Sequence, residues 1–432
     1  MEERQDPWSS SQIKDYQKMR EEFGIDSFNY VLEDNLMARR SLFVGQRDFW
    51  RIREAIERKD KFAAMTGLMP SGEMHLGSKA IIEQMIYFQK KGAQVHISVA
   101  DLESYATRNI PLEKARTIAI ENFLLNYIAM GLKRCNFYFQ STNARVQKFA
   151  FILAREINFT EMRSIYGFDD SKRMLEINSP IIQASDILSP QIYDEPMPTI
   201  VPVGADQDPH LRLTRDISSR MNIIKSKTNG KSITFSIGGR EDPEPYFNII
   251  RDVIKDSGSE IGKINQKYRT AEVENFEGST YDLDLKIARK ERELNHINSI
   301  APSSVIMRLE TGIRGGKMSK SVPDSTISLN EEPDQAEKKI RRAVTGGRES
   351  VEEQKRLGGN PYICPVFELY LYHLSSTDID LKNVEEECKS GTRLCGGCKI
   401  EASDLMSHFL SDLKEKRESS RHLVGEYLEN GK

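Results

Sequence analysis

Residues 61–100 constrain the fold more than any other stretch. KFAAMTG, residues 61–67, is a short apolar run, and Pro70-Ser71-Gly72 closes it with a turn. From Ser78 the apolar residues Ile81, Ile82, Met85, Ile86 and Phe88 recur at helical period as far as Gly92. VHISVA, from Val95 to Ala100, is a second strand. A strand, a helix and a strand at this spacing make a right-handed crossover. The two strands must then lie parallel, with helices on the sheet faces. The same alternation continues downstream. Residues 111–131 predict a helix between Pro111 and Gly131, and Cys135–Gln140 a third strand. Residues 143–165 predict a helix with Phe149, Ile152, Leu153 and Ile157 on its apolar side. Thr199–Gly204 reads as a buried strand, followed by a helix over 208–224. The fold class is therefore α/β with a parallel sheet.

The chain has 432 residues, more than a single core usually organises, so several domains are expected. Residues 1–60 predict a helical extension, with Ser10 capping a helix from Gln12 and Gly24 stopping it. Arg39, Arg40, Arg47 and Arg51 make its second half basic, with Phe43 and Phe49 interleaved. That pattern suits a surface helix or a contact to a polyanion. Residues 61–324 form the sheet domain, with an insertion at about 105–170 and a charged segment at about 241–300 ending in the helical DLKIARKERELNHI. Residues 325–432 predict an all-helical domain, interrupted by a loop around 388–398. Net charge is −3, so any nucleic-acid partner must be met by a local patch. No apolar run approaches the ~20 residues of a membrane helix. The polar N-terminus lacks a secretory h-region, and five cysteines suit a reducing compartment. A cytoplasmic protein with no membrane partner is expected.

Three constellations stand at predicted strand ends, where a parallel sheet opens its ligand crevice. The first is Pro70-Ser71-Gly72-Glu73-Met74-His75-Leu76-Gly77-Ser78, between a strand and a helix. Its glycines let a ligand approach the backbone, and the helix N-terminus favours an anion. The second is Gly315-Gly316-Lys317-Met318-Ser319-Lys320-Ser321, whose clustered lysines suit a polyphosphate. The third is Gly204-Ala205-Asp206-Gln207-Asp208-Pro209-His210 with Thr214-Arg215-Asp216. Asp206 and Gln207 should face the crevice, Asp208 could cap the next helix, and Arg215 and Asp216 could form a structural ion pair.

Together these segments resemble the class I aminoacyl-tRNA synthetases. The turn at His75 looks like that family's first nucleotide-binding signature, and Lys317–Ser321 its second, 240 residues further on. VPVGADQDPHLRLTRD is most similar to the tryptophanyl branch, and DPWSSSQIKDYQKMREEFG and RRSLFVGQRDF to the N-terminal extension of its archaeal and eukaryotic-like members. The resemblance implies a Rossmann-like catalytic domain, a helical anticodon-binding domain and a homodimer formed through about 105–170. It implies activation of L-tryptophan by ATP with Mg²⁺, then transfer to tRNA(Trp).

Carried over to this chain, His75, Ser78, Lys317 and Lys320 are catalytic. Pro70, Ser71, Gly72, Gly77, Met318, Ser319 and Ser321 join them in binding ATP. Gln183, Asp186, Gly204, Asp206 and Gln207 hold tryptophan. Ser78 departs from the family's usual histidine, which weakens the charge stabilisation expected there. Two alternatives stay open: the sister tyrosyl enzyme, which shares Gln183 and Asp186, and a nucleotide- or RNA-binding relative without catalysis.

Cys364, Cys388, Cys395 and Cys398 leave gaps of 23, 6 and 2 residues. Four soft thiolates select an iron–sulfur cluster or zinc. CPVFELY and CKSGTRLCGGCK resemble the stretch that carries a [4Fe–4S] cluster in some bacterial tryptophanyl enzymes. Zn²⁺ and unligated thiols are the other readings. Cys135 reads as a small core residue.

Overall fold

The computed structural model describes residues 16–316, 318 and 323–428. The Ser10 cap and Gln12 helix start lie outside the described residues, as do Lys317, Ser319, Lys320 and Ser321. The strands in chain order are β1 (Phe43–Arg47), β2 (Ala63–Leu68), β3 (Gln94–Val99), β4 (Asn136–Phe139), β5 (Thr199–Gly204), β6 (Ile224–Asn229), β7 (Ser232–Ile237), β8 (Lys263–Asn265), β9 (Thr270–Val273) and β10 (Ser303–Met307). Six of them form the main sheet in the order β1-β10-β5-β2-β3-β4. From β10 to β4 every pairing is parallel. Helix Leu76–Lys90 makes the β2–β3 crossover, as the spacing predicted. Every residue of β10 and the first four of β5 are buried, as expected of strands covered on both faces.

The chain runs outward from β2 to β3 and β4, then returns to place β5 on the other side of β2. The order reverses there, which opens a crevice at the carboxyl ends of the strands. β2 and β3 stay paired over their whole length, from Ala63↔Gln94 to Leu68↔Val99. β2 and β5 pair only at Ala63↔Thr199 and Ala64↔Ile200 and then diverge. Pro202, just past that point, has no N–H to continue a ladder.

The sheet is not wholly parallel. β1 pairs antiparallel with β10, from Phe43↔Met307 to Arg47↔Ser304. The helical reading of residues 1–60 therefore needs correction. The helix Tyr16–Phe23 does end at Gly24, in the left-handed region at φ 59°, but residues 43–47 are an edge strand. Its partner is more than 250 residues away, so no local pattern announces it.

The four arginines of this stretch hold the fold together and do not form a polyanion surface. Arg39 and Arg40 bind Asp378 at 2.6 and 2.9 Å. Arg40 also donates to Leu371 O and Ser375 O. Arg51 pairs with Asp48 and Asp284, and Arg47 grips Asp208 through two bonds of 2.8 and 2.9 Å.

Other boundaries also shift. The predicted helix over 143–165 is two helices, Ala144–Leu153 and Phe159–Tyr166. Asn158 and Glu161 form a capping box at the second start. The 111–131 helix holds, with a π-helical turn at Ala119–Leu124. The charged lobe begins at β6, inside the stretch assigned to the preceding helix, which ends at Met221. It is an antiparallel sheet in the order β6-β7-β9-β8, backed by helices Glu244–Asp256 and Thr280–Glu293. Phe235, Tyr246, Phe247, Ile250 and Val273 give it a core of its own.

The C-terminal region is largely helical, ending in the long helix Cys395–Ser420 and the short Val424–Leu428. The expected loop at 388–398 shrinks to 391–394. Cys388 belongs to helix Asp378–Ser390, and Cys395 and Cys398 to the first turn of the long helix. Glycines suggested a loop at 396–397, but the first turn of a helix lacks intrahelical N–H bonds in any case and tolerates them. No helix among the described residues is long and apolar enough to cross a membrane.

Candidate active site

The first signature turn follows β2 and leads into helix Leu76–Lys90, with His75 as the extended N-cap residue. A backbone strap ties it to the segment that follows the lysine loop. Leu329 N donates to Met74 O at 2.8 Å, Leu76 N donates to Ile327 O at 3.2 Å, and His75 bridges Ser328. The His75 ring lies over Gly77. A Cβ there would stand 3.2 Å from His75 Nδ1 and Cε1 and 3.8 Å from Met318 Sδ. A side chain there would crowd the His75 ring, so glycine lets the ring lie close against the turn. Met318 is buried and its sulfur accepts from Thr326 Oγ1 at 3.6 Å.

The lysine loop has a closed stem. Ile313 N donates to Ser325 O at 3.0 Å, and Gly312 N to Gly316 O at 2.7 Å. Gly315 and Gly316 take φ of 81° and 78°, the turn that the glycine pair predicted. Ser78 N donates to His75 O at 2.9 Å inside the first turn of the helix. Pro70, Ser71 and Gly72 form the turn that joins β2 to this helix, with Ser71 N donating to Met69 O at 2.8 Å.

Beside the strap, the gap between β2 and β5 is a pocket of about 160 Å³. Met65, Thr66 and Gly67 form one wall and Val201–Gly204 the other. Gln183, Asp186, Gly204 and Gln207 line it as expected. Asp206 does not. Its carboxylate oxygen sits 2.8 Å from where a Gly204 Cβ would stand, behind the pocket wall.

Asp186 is almost fully buried. It accepts from Tyr138 OH at 2.7 Å and from Gln140 Nε2 at 2.6 Å. Burial pushes its pKa up to about 7, against the opposing hydrogen bonds of Gln140, Tyr138 and Ser98. His210 closes the pocket, and burial pushes its pKa down to about 3, so the ring is neutral. His210 stood in the third constellation without an assigned role, and Tyr138, Gln140, Ser98 and Thr66 were not singled out from the sequence. A signal existed for two of them: Tyr138 lies between Phe137 and Phe139 in β4, and Gln140 directly follows the strand.

Two further expectations resolve differently. Asp208 is not a cap. It is fully buried and shared between Arg47 and Arg212, the latter at 3.2 Å. Arg215 pairs with Asp48 at 2.7 Å and donates to Pro302 O, while Asp216 is exposed. Both arrangements dock the helix Asp208–Met221 onto the extension.

The four cysteines that the spacing grouped line one cavity of about 20 Å³ together with Gly346, Gly347 and Arg393. A Cβ on Gly347 would come within 2.4 Å of Cys395 Sγ, and one on Gly359 within 3.0 Å of Cys388 Sγ. Burial and the neighbouring thiols push Cys388 up to about 11. Arg393 is the cation on the lining, anchored by Glu387 and Glu401. Among the described residues no three His, Cys, Asp or Glu side chains converge as a ready single-ion site. Cys135 is buried in the core, with its thiol pushed up to about 12.

The titration of Asp186 has a measurable consequence. Its folded pKa lies above the unfolded value of 3.8, so the folded chain holds the extra proton between about pH 4 and about 7. Wild-type stability relative to Asp186→Asn should therefore fall as pH rises through that window and level off above it. Thermal midpoints of both proteins at pH 5 and pH 8 check this. A constant difference between them would show that the fold does not feel the ionisation.

Known proteins share this architecture and sequence. The family described as tRNA synthetases class I (W and Y) matches residues 57–273 and 282–411. The tryptophan–tRNA ligase of Thermoplasma volcanium is 49% identical over 427 residues, 98% of this chain and 99% of its own length. That of Methanocaldococcus jannaschii is 36% identical, over 98% of this chain and 97% of its own. The crystal structure of tryptophanyl-tRNA synthetase from Aeropyrum pernix K1 superposes with a TM-score of 0.76 at 33% identity, covering 99% of this chain and 100% of that one. With the two signatures strapped together at the mouth of a reversed parallel sheet, and with relatives that align from end to end, this chain belongs to the class I tRNA synthetases for tryptophan and tyrosine.

Proposed function

We propose that this chain activates L-tryptophan with ATP and transfers it to the 3′ end of tRNA(Trp). The observation that carries the reading is the strap between Met74–Leu76 and Ile327–Leu329. It ties the first signature turn to the segment that follows the second signature in sequence. In the first step a carboxylate oxygen of tryptophan attacks the α-phosphorus of ATP. The bond to the bridging oxygen breaks and pyrophosphate leaves. In the second step the 2′-hydroxyl of the terminal adenosine attacks the adenylate carbonyl and AMP leaves. Neither step needs a protein nucleophile, so catalysis is positioning and charge stabilisation. Mg²⁺ arrives with ATP as part of the substrate.

His75, Lys317 and Lys320 stabilise the departing pyrophosphate, with Ser78 a weaker donor. Pro70, Ser71, Gly72 and Gly77 let the nucleotide lie on the backbone of the first turn. Met318, Ser319 and Ser321 complete its cover. Gln183, Asp186, Gly204 and Gln207 receive the amino acid, Asp186 and its Tyr138 and Gln140 partners supplying the polar end of an otherwise apolar slot. A site built to pair the indole N–H discriminates against side chains that lack it. Asp206, behind Gly204, acts by holding that wall.

The homodimer reading is supported by Phe151 and Ile152, exposed at 84% and 41% on the helix Ala144–Leu153 within the 105–170 segment. Apolar side chains grouped this way favour a symmetric contact. Light scattering that finds only a monomer at micromolar concentration would remove it.

The cysteine cavity fits a metal group by its donor set, four soft thiols with one arginine and no carboxylate on the lining, and by the glycines that clear space beside two of the sulfurs. We propose a [4Fe–4S] cluster there, with Zn²⁺ as the alternative. It would tie helix Asp378–Ser390 to the start of the long helix and leave the adenylate chemistry untouched.

Three measurements follow. ATP–pyrophosphate exchange should be driven by tryptophan and not by tyrosine. His75→Ala should lower the exchange kcat by about 10²–10³-fold with little change in KM for tryptophan. Exchange with tyrosine alone would reassign the pocket, and no exchange from protein that still binds ATP would leave a nucleotide-binding relative. Iron, acid-labile sulfide and zinc are to be measured on anaerobically purified chain. Iron with sulfide supports the cluster, zinc replaces it with the alternative, and a metal-free chain rejects both.

A further inference from the structure

Three buried ionisable side chains, Lys79, His373 and Glu310, with the part-exposed Glu83 at one end, form a row between the signature helix, the lysine-loop stem and the C-terminal helices. Lys79, one residue beyond Ser78, donates to Glu83 at 2.6 Å and stands 3.4 Å from His373 Nδ1. His373 Nε2 lies 3.0 and 2.9 Å from the two oxygens of Glu310. The side chains of His373 and Glu310 are 1% and 3% exposed, and that of Lys79 6%. Burial pushes the His373 pKa well down, so the ring is neutral. One tautomer then satisfies both neighbours: Nε2–H donates to Glu310 and Nδ1 accepts from Lys79.

Glu310 sits on the segment that joins β10 to the lysine-loop stem, and the helical stretch 365–374 grips that segment from the C-terminal side. Glu368 accepts from Arg308 and, at 2.6 Å, from Thr311 N. Tyr372 OH donates to Arg308 O at 3.1 Å. Tyr370–Leu374 is a π-helical turn. Successive residues of a regular helix diverge by about 100°, but here Tyr372 and His373 both serve residues 308–310. π turns of this kind are frequent at functional sites.

A buried row of ionisable groups is often no more stabilising than apolar side chains of the same shape. What it provides is direction: each hydrogen bond admits one arrangement of the three elements it joins. We propose that Glu310, His373 and Lys79 are positioning residues for adenylate formation. They set the register of the signature helix against the lysine-loop stem, and they do so from the C-terminal region. The proposal rests on the tryptophan-activating reading above.

His373→Leu and His373→Gln test it. Glutamine can donate to Glu310 and accept from Lys79, and leucine can do neither. The expected result is a fall in exchange kcat of about 10–100-fold for His373→Leu, the size of effect that a small misplacement causes. KM for tryptophan stays within about twofold of wild type, and His373→Gln recovers most of the loss. Amide hydrogen exchange should quicken in 74–90 and 308–313 for leucine and return toward wild type for glutamine. That readout needs no activity, so failure of the tryptophan reading is distinguishable from failure of this one. If His373→Leu does not fold, Glu310→Leu, which removes the acceptor facing His373 Nε2, carries the same expected fall in kcat and the same quickening of hydrogen exchange. A folded variant with kcat within twofold of wild type and unchanged hydrogen exchange overturns the proposal, as does a glutamine variant as impaired as the leucine one.

Discussion

The rest of the site depends on where β2 and β5 stop pairing. Two residue pairs hold them at the start, and then the strands separate. Every amide beyond that point must find another partner or face the crevice. The gap is widest at the carboxyl ends, where both signature segments attach. Had the ladder continued, as between β2 and β3, the Asp186 pocket would be filled by backbone. The reversal of strand order at this point is what permits the divergence, because no crossover helix spans the two strands directly.

The strap between the two signatures depends on that crevice in turn. The segments are about 240 residues apart in sequence, and between them the chain completes β3, β4, β5 and an entire antiparallel lobe. Two backbone hydrogen bonds, which pair His75 with Ser328, bring them together, and His75 and Met318 both lie near Gly77. The lysine-loop stem is closed independently by Ile313 and Ser325. The loop is thereby held at its base, next to the turn whose helix N-terminus favours anions.

Much of this was legible locally. The crossover unit, the helix after Ser78, the strand at Thr199, the glycine pair of the lysine loop and the grouping of the cysteines all follow from short-range patterns. Periodicity reports burial of one face, and glycine reports tight backbone. β1 was not legible, because an edge strand of five residues has no pattern of its own until β10 lies beside it. The lobe was seen as charged and variable but not as a sheet. Its strands are short, and β6 shows solvent all but one residue. The arginines of the extension looked like a surface for a polyanion, since sequence counts charges without their partners. Asp208, Asp284 and Asp378 come from three distant segments.

The amino-acid sequence by itself determined the kind of protein this is. Strand and helix periods dictated a parallel α/β sheet, and two motifs of the right chemistry at strand ends dictated a synthetase. Tertiary structure alone decided the rest: the pocket between β2 and β5, the near-neutral pKa of Asp186, the service of Asp208 to Arg47, and the row from Glu83 to Glu310. The physical reason is that a motif needs only residue types in order, which a chain carries along its length. A shifted pKa, a satisfied buried charge or a shared cavity depends on which distant groups come within a few ångströms, and only packing settles that.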